Sequence, residues 1–325
     1  MTFSRPKRHR MGRSALAGLL LTVLLCGCAH SDAGAQENDT PSATAPSFDG
    51  EAALALIAKQ LEFGPRNPGS KGHAACLRWL QEQLKAEADQ LATEPFELAD
   101  PYGDASLKLT NLRASFYPER TRRIALAAHW DTRPRADQQP GGAVDKPIPG
   151  ANDGGSGVAV LLAMARILKE HPLSAIGVDL LFFDGEDYGK EGDTQYYLLG
   201  SKQYAAAHPR YRPRALILLD MVAGKNLSIP MERNGLQRAQ QLSFLVFSKA
   251  ASLGLSAFVS VPGQAILDDH IPFLLSGVES IDLIDLDYRQ WHTLQDDLPA
   301  CSAASLQQVG DLLVALLYED FQQGS

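Results

Sequence analysis

Four short stretches, 124–128, 178–183, 215–219 and 280–286, carry apolar residues on both faces, interrupted only by Asp179, Ser280, Asp282 and Asp285. A strand of that kind must be covered on both sides, because its successive side chains point to opposite faces of a sheet. Around these stretches lie longer segments with helical periodicity, at 52–61, 73–91, 158–170, 236–252 and 302–318. Buried strands alternating with helices predict an α/β fold, a single domain with a mixed, mostly parallel central sheet and helices on both faces. Ligands of such sheets gather beyond the carboxyl ends of the strands. Here nearly every apolar run passes straight into a polar cluster.

The first run ends in His129-Trp130-Asp131, and Asn152-Asp153 sits in a Gly-rich turn, 150–157, that opens a helix. Asp184-Gly185-Glu186-Asp187 follows the second run, Asp220 closes the third, and Trp291-His292-Thr293 comes soon after the fourth. Any one of these alone reads as a helix cap or a surface group. Clusters at equivalent ends of one sheet are brought together by the fold. Their chemistry matches as well: one His and two carboxylates form a common ligand set for catalytic zinc, which leaves a fourth position open. A neighbouring carboxylate that is not a ligand then serves as general base. Adjacent acids at Glu186-Asp187 suit that division, since successive side chains point in different directions.

The chain has 30 basic and 38 acidic side chains, a formal charge of -8. Arg5, Lys7, Arg8, Arg10 and Arg13 precede Cys28 with no acid among them, so the remainder is more acidic still. No basic face for a nucleic-acid partner is expected. The basic start, the apolar run 15–25 and the ending Leu25-Cys26-Gly27-Cys28 read as a secretory leader, too short to span a hydrocarbon core of roughly 30 Å. The ending resembles a bacterial lipobox, whose cleavage would leave Cys28 lipidated as the first mature residue; an ordinary leader cut a few residues on is the alternative. The expected domains are therefore a lipoprotein signal peptide at 1–27, a flexible tether at 28–48, too poor in large apolar residues to fold, and a zinc-dependent catalytic domain at 49–325. The expected address is the bacterial cell envelope, with membrane contact only through the lipid. Ala29 after Cys28 favours the periplasmic face of the outer membrane. Cys76 and Cys301 either pair in an oxidising compartment or stand as two buried thiols, and no oligomeric state is implied.

From about Phe63 onward the chain resembles the zinc aminopeptidase-like superfamily and, within it, the bacterial branch of the glutaminyl-peptide cyclotransferases. The motifs, in order, are 63–70 (Phe-Gly-Pro-Arg-Asn-Pro-Gly-Ser), His129-x-Asp131, Asp153 in its turn, and 182–187. Leu219-Asp220, Asp268-Asp269-His270-Ile271-Pro272-Phe273 and Trp291-His292-Thr293 complete the series. The resemblance implies one zinc per chain on Asp153, Asp187 and His292, with Glu186 as acid and base and with Asp220 and Asp268 holding the reacting groups in line. It implies peptides or proteins with an N-terminal glutamine as substrates, Trp291 as a wall of their pocket, and pyroglutamate and ammonia as products. His129 and Asp131 are assigned either to a second metal or to positions behind the ligands, with Asp131 orienting His129. His270 is expected to be structural, and Arg66 and Lys71 solvated or salt-bridged. Two departures stand out: the loop 189–199 holds Tyr196 and Tyr197 where cyclases often place a Trp, and Asp187 and Asp282 stand where the animal enzymes carry Glu and His. The same residues leave open a two-zinc aminopeptidase, or a binding lipoprotein without chemistry.

The leader generates a direct expectation. Cys28→Ser releases the protein from membranes, because the acyl chains are its only anchor; fractionation checks this, and unchanged membrane association refutes the lipobox.

Overall fold

The structure, a computed structural model, describes residues 45–323. The leader, Cys28 and most of the tether lie outside the described residues. The chain begins with helices α1 (Gly50–Leu61) and α2 (Lys71–Glu87), then strands β1 (Gln90–Ala99), β2 (Ser106–Phe116) and β3 (Arg123–His129). Helix α3 (Ser156–Glu170), β4 (Gly177–Phe183), α4 (Leu199–Ala207) and β5 (Ala215–Asp220) follow. Next come β6 (Ile229–Met231), α5 (Arg233–Arg238), α6 (Gln240–Ser252) and β7 (Phe258–Pro262). The chain closes with α7 (Ile271–Leu275), β8 (Ser280–Ile284) and α8 (Ala303–Ala315).

Six strands form the main sheet in the order β1-β2-β4-β3-β5-β8. The four apolar runs are its parallel strands β4, β3, β5 and β8. Alternation along β3 shows why both faces must be covered. Ile124, Leu126 and Ala128 join the large core under α1, α2, α3, α6 and α8, whereas Ala125 and Ala127 join a second core with Tyr204 of α4 and Phe273 of α7. The antiparallel hairpin β1-β2 extends the sheet beside β4. The expected helix 73–91 is correspondingly shorter: it ends at Glu87, and Gln90 and Leu91 open β1. Likewise the expected helix 236–252 is two helices, α5 and α6, meeting at Ala239.

Ser70 caps α2 by accepting from the His73 amide at 3.0 Å, so the motif 63–70 is a helix entry. Arg66 behind it is neither solvated nor salt-bridged. It is fully buried, and its guanidinium donates to the carbonyls of Trp130 at 3.2 Å, Pro149 at 3.1 Å and Gly150 at 2.5 Å. It thereby ties the end of β3 to the loop before α3. Lys71, by contrast, is exposed. Cys76 and Cys301 are separate free thiols, both buried, and burial pushes the Cys76 thiol up to about 12. No helix among the described residues is long and apolar enough to cross a membrane.

The folded unit reaches back past the expected boundary at residue 49. Phe48 is only 4% exposed, and its ring fills the space beside Gly310 of α8, where an added Cβ would lie 2.0 Å from it. Phe48→Ala is therefore expected to cost about 3 kcal/mol, as for other buried aromatic truncations. Equilibrium denaturation checks this, and a loss under about 1 kcal/mol would return Phe48 to the tether.

Candidate active site

Every parallel strand delivers acid or imidazole at one end of the sheet. His129 is the last residue of β3 and Asp220 the last of β5; the 184–187 segment leaves β4, and His292 follows β8 by eight residues. The backbone is bent sharply at these exits. Gly154, Gly185, Met221 and His292 all have positive φ, at 77°, 75°, 49° and 54°. At Gly154 the bend is also a close approach, since a Cβ would lie 2.1 Å from the Asp131 carbonyl oxygen.

Three side chains expected to bind metal converge. His292 Nε2 lies 3.2 Å from Asp187 Oδ2 and 3.5 Å from Asp153 Oδ2. Both oxygens are buried and lack any hydrogen-bond donor. Two orphaned carboxylate oxygens facing one imidazole nitrogen fit a divalent cation such as zinc, and the three ligand atoms lie within 4.8 Å of one another. Asp153 also faces the other way: its Oδ1 is 3.3 Å from His129 Nε2, which is itself 3.2 Å from Asp220 Oδ1. His129, Asp153 and Asp220 thus make a second candidate set that shares Asp153.

Electrostatics follow from crowding. Burial disfavours the imidazolium of His129, yet Asp131, Asp153 and Asp220 outweigh it and hold its pKa well above the ordinary value. For His292 burial is likewise overcome, here by Asp187, Asp137 and Asp153, which lift it to about 9. Burial and then Asp187 push Glu186 well above the usual carboxyl range; burial, Asp220 and Asp269 do the same to Asp268. Asp187 goes the other way: burial opposes its charge, but His292 and Arg133 win and lower its pKa. Adjacent acids therefore differ in kind, one inclined to hold a proton and one held ionised.

A cavity of about 100 Å³ is lined by Asp153, Glu186, Asp187, Asp220, Asp268, Trp291 and His292. All three expected catalytic acids and all three expected ligands thus face one space, with Trp291, 37% exposed, at its mouth. His129 and Asp131 lie behind it. Asp131 Oδ1 stands 3.5 Å from His129 Nδ1 and also accepts from the Glu186 amide at 3.0 Å, so it positions the acid pair as well as the imidazole. His270 is buried 3.2 Å from Glu232, away from the metal-binding trio. Asp282 is buried with both oxygens unbonded, raised well above the ordinary range by burial and then by Asp268.

Sequence reasoning missed the residues that hold this arrangement. Asp296 accepts from the amides of Asn152 at 2.9 Å and Asp153 at 3.1 Å and from the Tyr288 hydroxyl at 2.7 Å. Ser201 donates to Asp269 at 2.5 Å, behind Asp268. Arg133, 1% exposed, donates to Asp187, Asp137 and Tyr197. Arg133 and Asp137 stand four apart just after the His-x-Asp pair, a spacing that was available as a signal; Asp296 offered none.

Comparison with known proteins places this geometry. Residues 111–317 match the family model for peptidase family M28. A glutaminyl-peptide cyclotransferase of Bothrops jararaca is 26% identical over 295 residues, covering 80% of this chain and 78% of that one. The crystal structure of Porphyromonas gingivalis glutaminyl cyclase superposes with a TM-score of 0.79 at 36% identity, over 84% of this chain and 99% of that one. A Zn-dependent exopeptidase of Parabacteroides distasonis gives the same TM-score, 0.79, at 33% identity over 85% and 99%.

Gly154 offers a test of how tightly the site is built. Gly154→Ala is expected to cost at least about 2 kcal/mol and to reduce zinc retention, because strain at positive φ adds to a clash with the Asp131 carbonyl. Gly192→Ala, also at positive φ (88°) but with nothing within 4 Å, is expected to cost about 1 kcal/mol and leave zinc unchanged. Thermal unfolding with metal analysis checks both, and equal effects would remove the close approach as the cause.

Proposed function

The chain belongs to peptidase family M28, and from that premise we propose that it closes the N-terminal glutamine of peptides and proteins to pyroglutamate with release of ammonia, using one zinc ion. The observation that carries this reading is the shared cavity, in which Glu186, Asp220 and Asp268 face the trio Asp153, Asp187 and His292. An N-terminal glutamine holds its nucleophile, the α-amine, and its electrophile, the γ-amide carbon, in one residue. Attack forms a new C–N bond, breaks the bond to the amide nitrogen and consumes no water.

Asp153, Asp187 and His292 would hold the zinc ion, which when bound would supply Lewis acidity for the γ-carbonyl oxygen. Glu186 takes a proton from the α-amine and returns it to the departing nitrogen, and its raised pKa suits both halves of that task. Asp268 and Asp220 hold the reacting groups in line, and burial with the nearby Asp220 and Asp269 raises Asp268 well above the usual carboxyl range. Trp291 and Tyr197 wall the cavity, Tyr197 standing in the loop that lacks a Trp. One metal suits the chemistry, because hydroxide made at a second ion would hydrolyse the amide to glutamate. His129, whose pKa is raised against its burial by Asp131, Asp153 and Asp220, stands among three carboxylates on that side. The leader motif supports an enzyme held in the cell envelope by lipid on Cys28.

A two-zinc aminopeptidase is the second reading, favoured by the ligand set His129, Asp153 and Asp220 and by the likeness to the exopeptidase. Ammonia and pyroglutamate released from a Gln-initiated peptide, measured beside hydrolysis of aminoacyl anilides, separate the two. Glu186→Gln is expected to keep zinc and lose cyclisation by roughly a hundredfold or more, since it removes the proton carrier but no ligand. Asp153→Ala and His292→Ala are expected to lose zinc, and His129→Ala to lower turnover with zinc retained. Two zinc ions per active chain by elemental analysis, both needed for turnover, would overturn the one-metal cyclase.

A further inference from the structure

One buried cation links the metal-binding trio to the substrate wall. The Arg133 guanidinium spends one nitrogen on Asp187, whose Oδ1 and backbone carbonyl both accept from it. Its other two nitrogens make a forked pair with Asp137, at 2.9 Å to Oδ1 and 2.5 Å to Oδ2, and one of them also donates to the Tyr197 hydroxyl at 2.9 Å. Asp137 Oδ1 then lies 3.3 Å from His292 Nδ1. The backbone repeats the link, because the Gln138 amide donates to the His292 carbonyl at 3.2 Å and Gln139 accepts from the Leu294 amide at 2.9 Å.

Two geometric consequences follow. With Oδ1 of Asp187 taken by Arg133, only Oδ2 faces His292 and Asp153, so Asp187 is left to bind a cation through one oxygen. With Asp137 Oδ1 3.3 Å from Nδ1, a carboxylate stands ready to accept a proton from that nitrogen, and Nε2, which faces Asp153 and Asp187, is the nitrogen left to ligate. A carboxylate held in turn by a planar guanidinium cannot swing away from the ring, which Lys in place of Arg133 would permit. Tyr197 is caught in the same lattice: the Arg133 guanidinium lies 5.4 Å from its ring centroid, and that ring fills the space a Cβ on Gly189 would need.

We propose that Arg133 and Asp137 are a positioning pair that fixes Asp187 and His292 for metal binding and ties both to the cavity wall at Tyr197. The inference rests on the zinc reading of Asp153, Asp187 and His292. It is tested on the full chain by measuring zinc affinity in competition with a chelator, with kcat and KM taken at saturating zinc and folding followed by circular dichroism. Asp137→Ala is expected to weaken zinc binding roughly 100-fold and Asp137→Asn roughly tenfold, because the amide keeps an acceptor for Nδ1–H but loses its charge. Arg133→Lys is expected to weaken it roughly tenfold, because a point charge cannot serve Asp187 and Asp137 together. In all three, nitrogen-15 NMR of the zinc-loaded protein is expected to show the His292 Nδ1 proton less protected from solvent exchange than in the unaltered protein. The isosteric Asn variant carries the test if the Ala variant does not fold. Wild-type zinc affinity and an equally protected Nδ1 proton in the folded Asp137 variants would overturn the pair. His292→Ala serves as the separate control: if it retains zinc, the ligand reading fails instead.

Discussion

The structure turns on like charges forced together out of water. Asp131, Asp153, Asp187, Asp220, Asp268 and Asp269 are all buried at one end of the sheet, with Glu186 half-buried among them. Ionised carboxylates in that setting are costly unless each finds a cation, a donor or a proton. Each solution is visible. Asp187 has Arg133; Asp131 has the amides of Glu186 and Asp187; Asp269 has Ser201; Glu186 and Asp268 are pushed toward their neutral forms. Among the buried oxygens left without a donor, those on Asp153 and Asp187 are the ones that face His292.

The scaffold exists to hold that crowd still. Parallel strands bring the segments to one edge, and glycines let the chain turn there within contact distance of its neighbours, as Gly154 does over the Asp131 carbonyl. Fixed donors then pin the turns. Arg66 ties the end of β3 to the loop before α3, and Asp296 holds the amides of Asn152 and Asp153. The result is a difference between neighbours that no composition dictates: the pKa of Glu186 is raised while that of Asp187, one residue on, is lowered. An acid–base group beside a metal ligand needs that difference.

Much of this was legible in the chain. The four apolar runs forecast the parallel strands, because a strand buried on both faces carries apolar residues at successive positions, as 124–128 and 215–219 do. The hairpin β1-β2 was not legible: β1 alternates exposed and half-buried residues, and its start continued the helical pattern of α2. Glu186, Asp220, Asp153, Asp187 and His292 were nameable because each sits where a strand or its loop ends, whereas Asp268 came only with the family resemblance. Arg133, Asp137 and Asp296 act through space on groups far along the chain, and their spacing alone said nothing of which carboxylate or amide they would meet. Phe48, in a stretch of small polar residues, looked like tether until Gly310 left a place for its ring.

By itself, then, the sequence determined the strand–helix alternation, the end of the sheet where the chemistry gathers and the types of group gathered there, since those depend on local periodicity and residue type. The tertiary structure decided which carboxylate is shifted up and which down, which oxygens of Asp153 and Asp187 are left without a donor, and that Cys76 and Cys301 stand apart. The reason is physical: periodicity is written into neighbours along the chain, whereas the charge state of a buried acid depends on the distance, within a few ångströms, to cations and donors that only folding brings near.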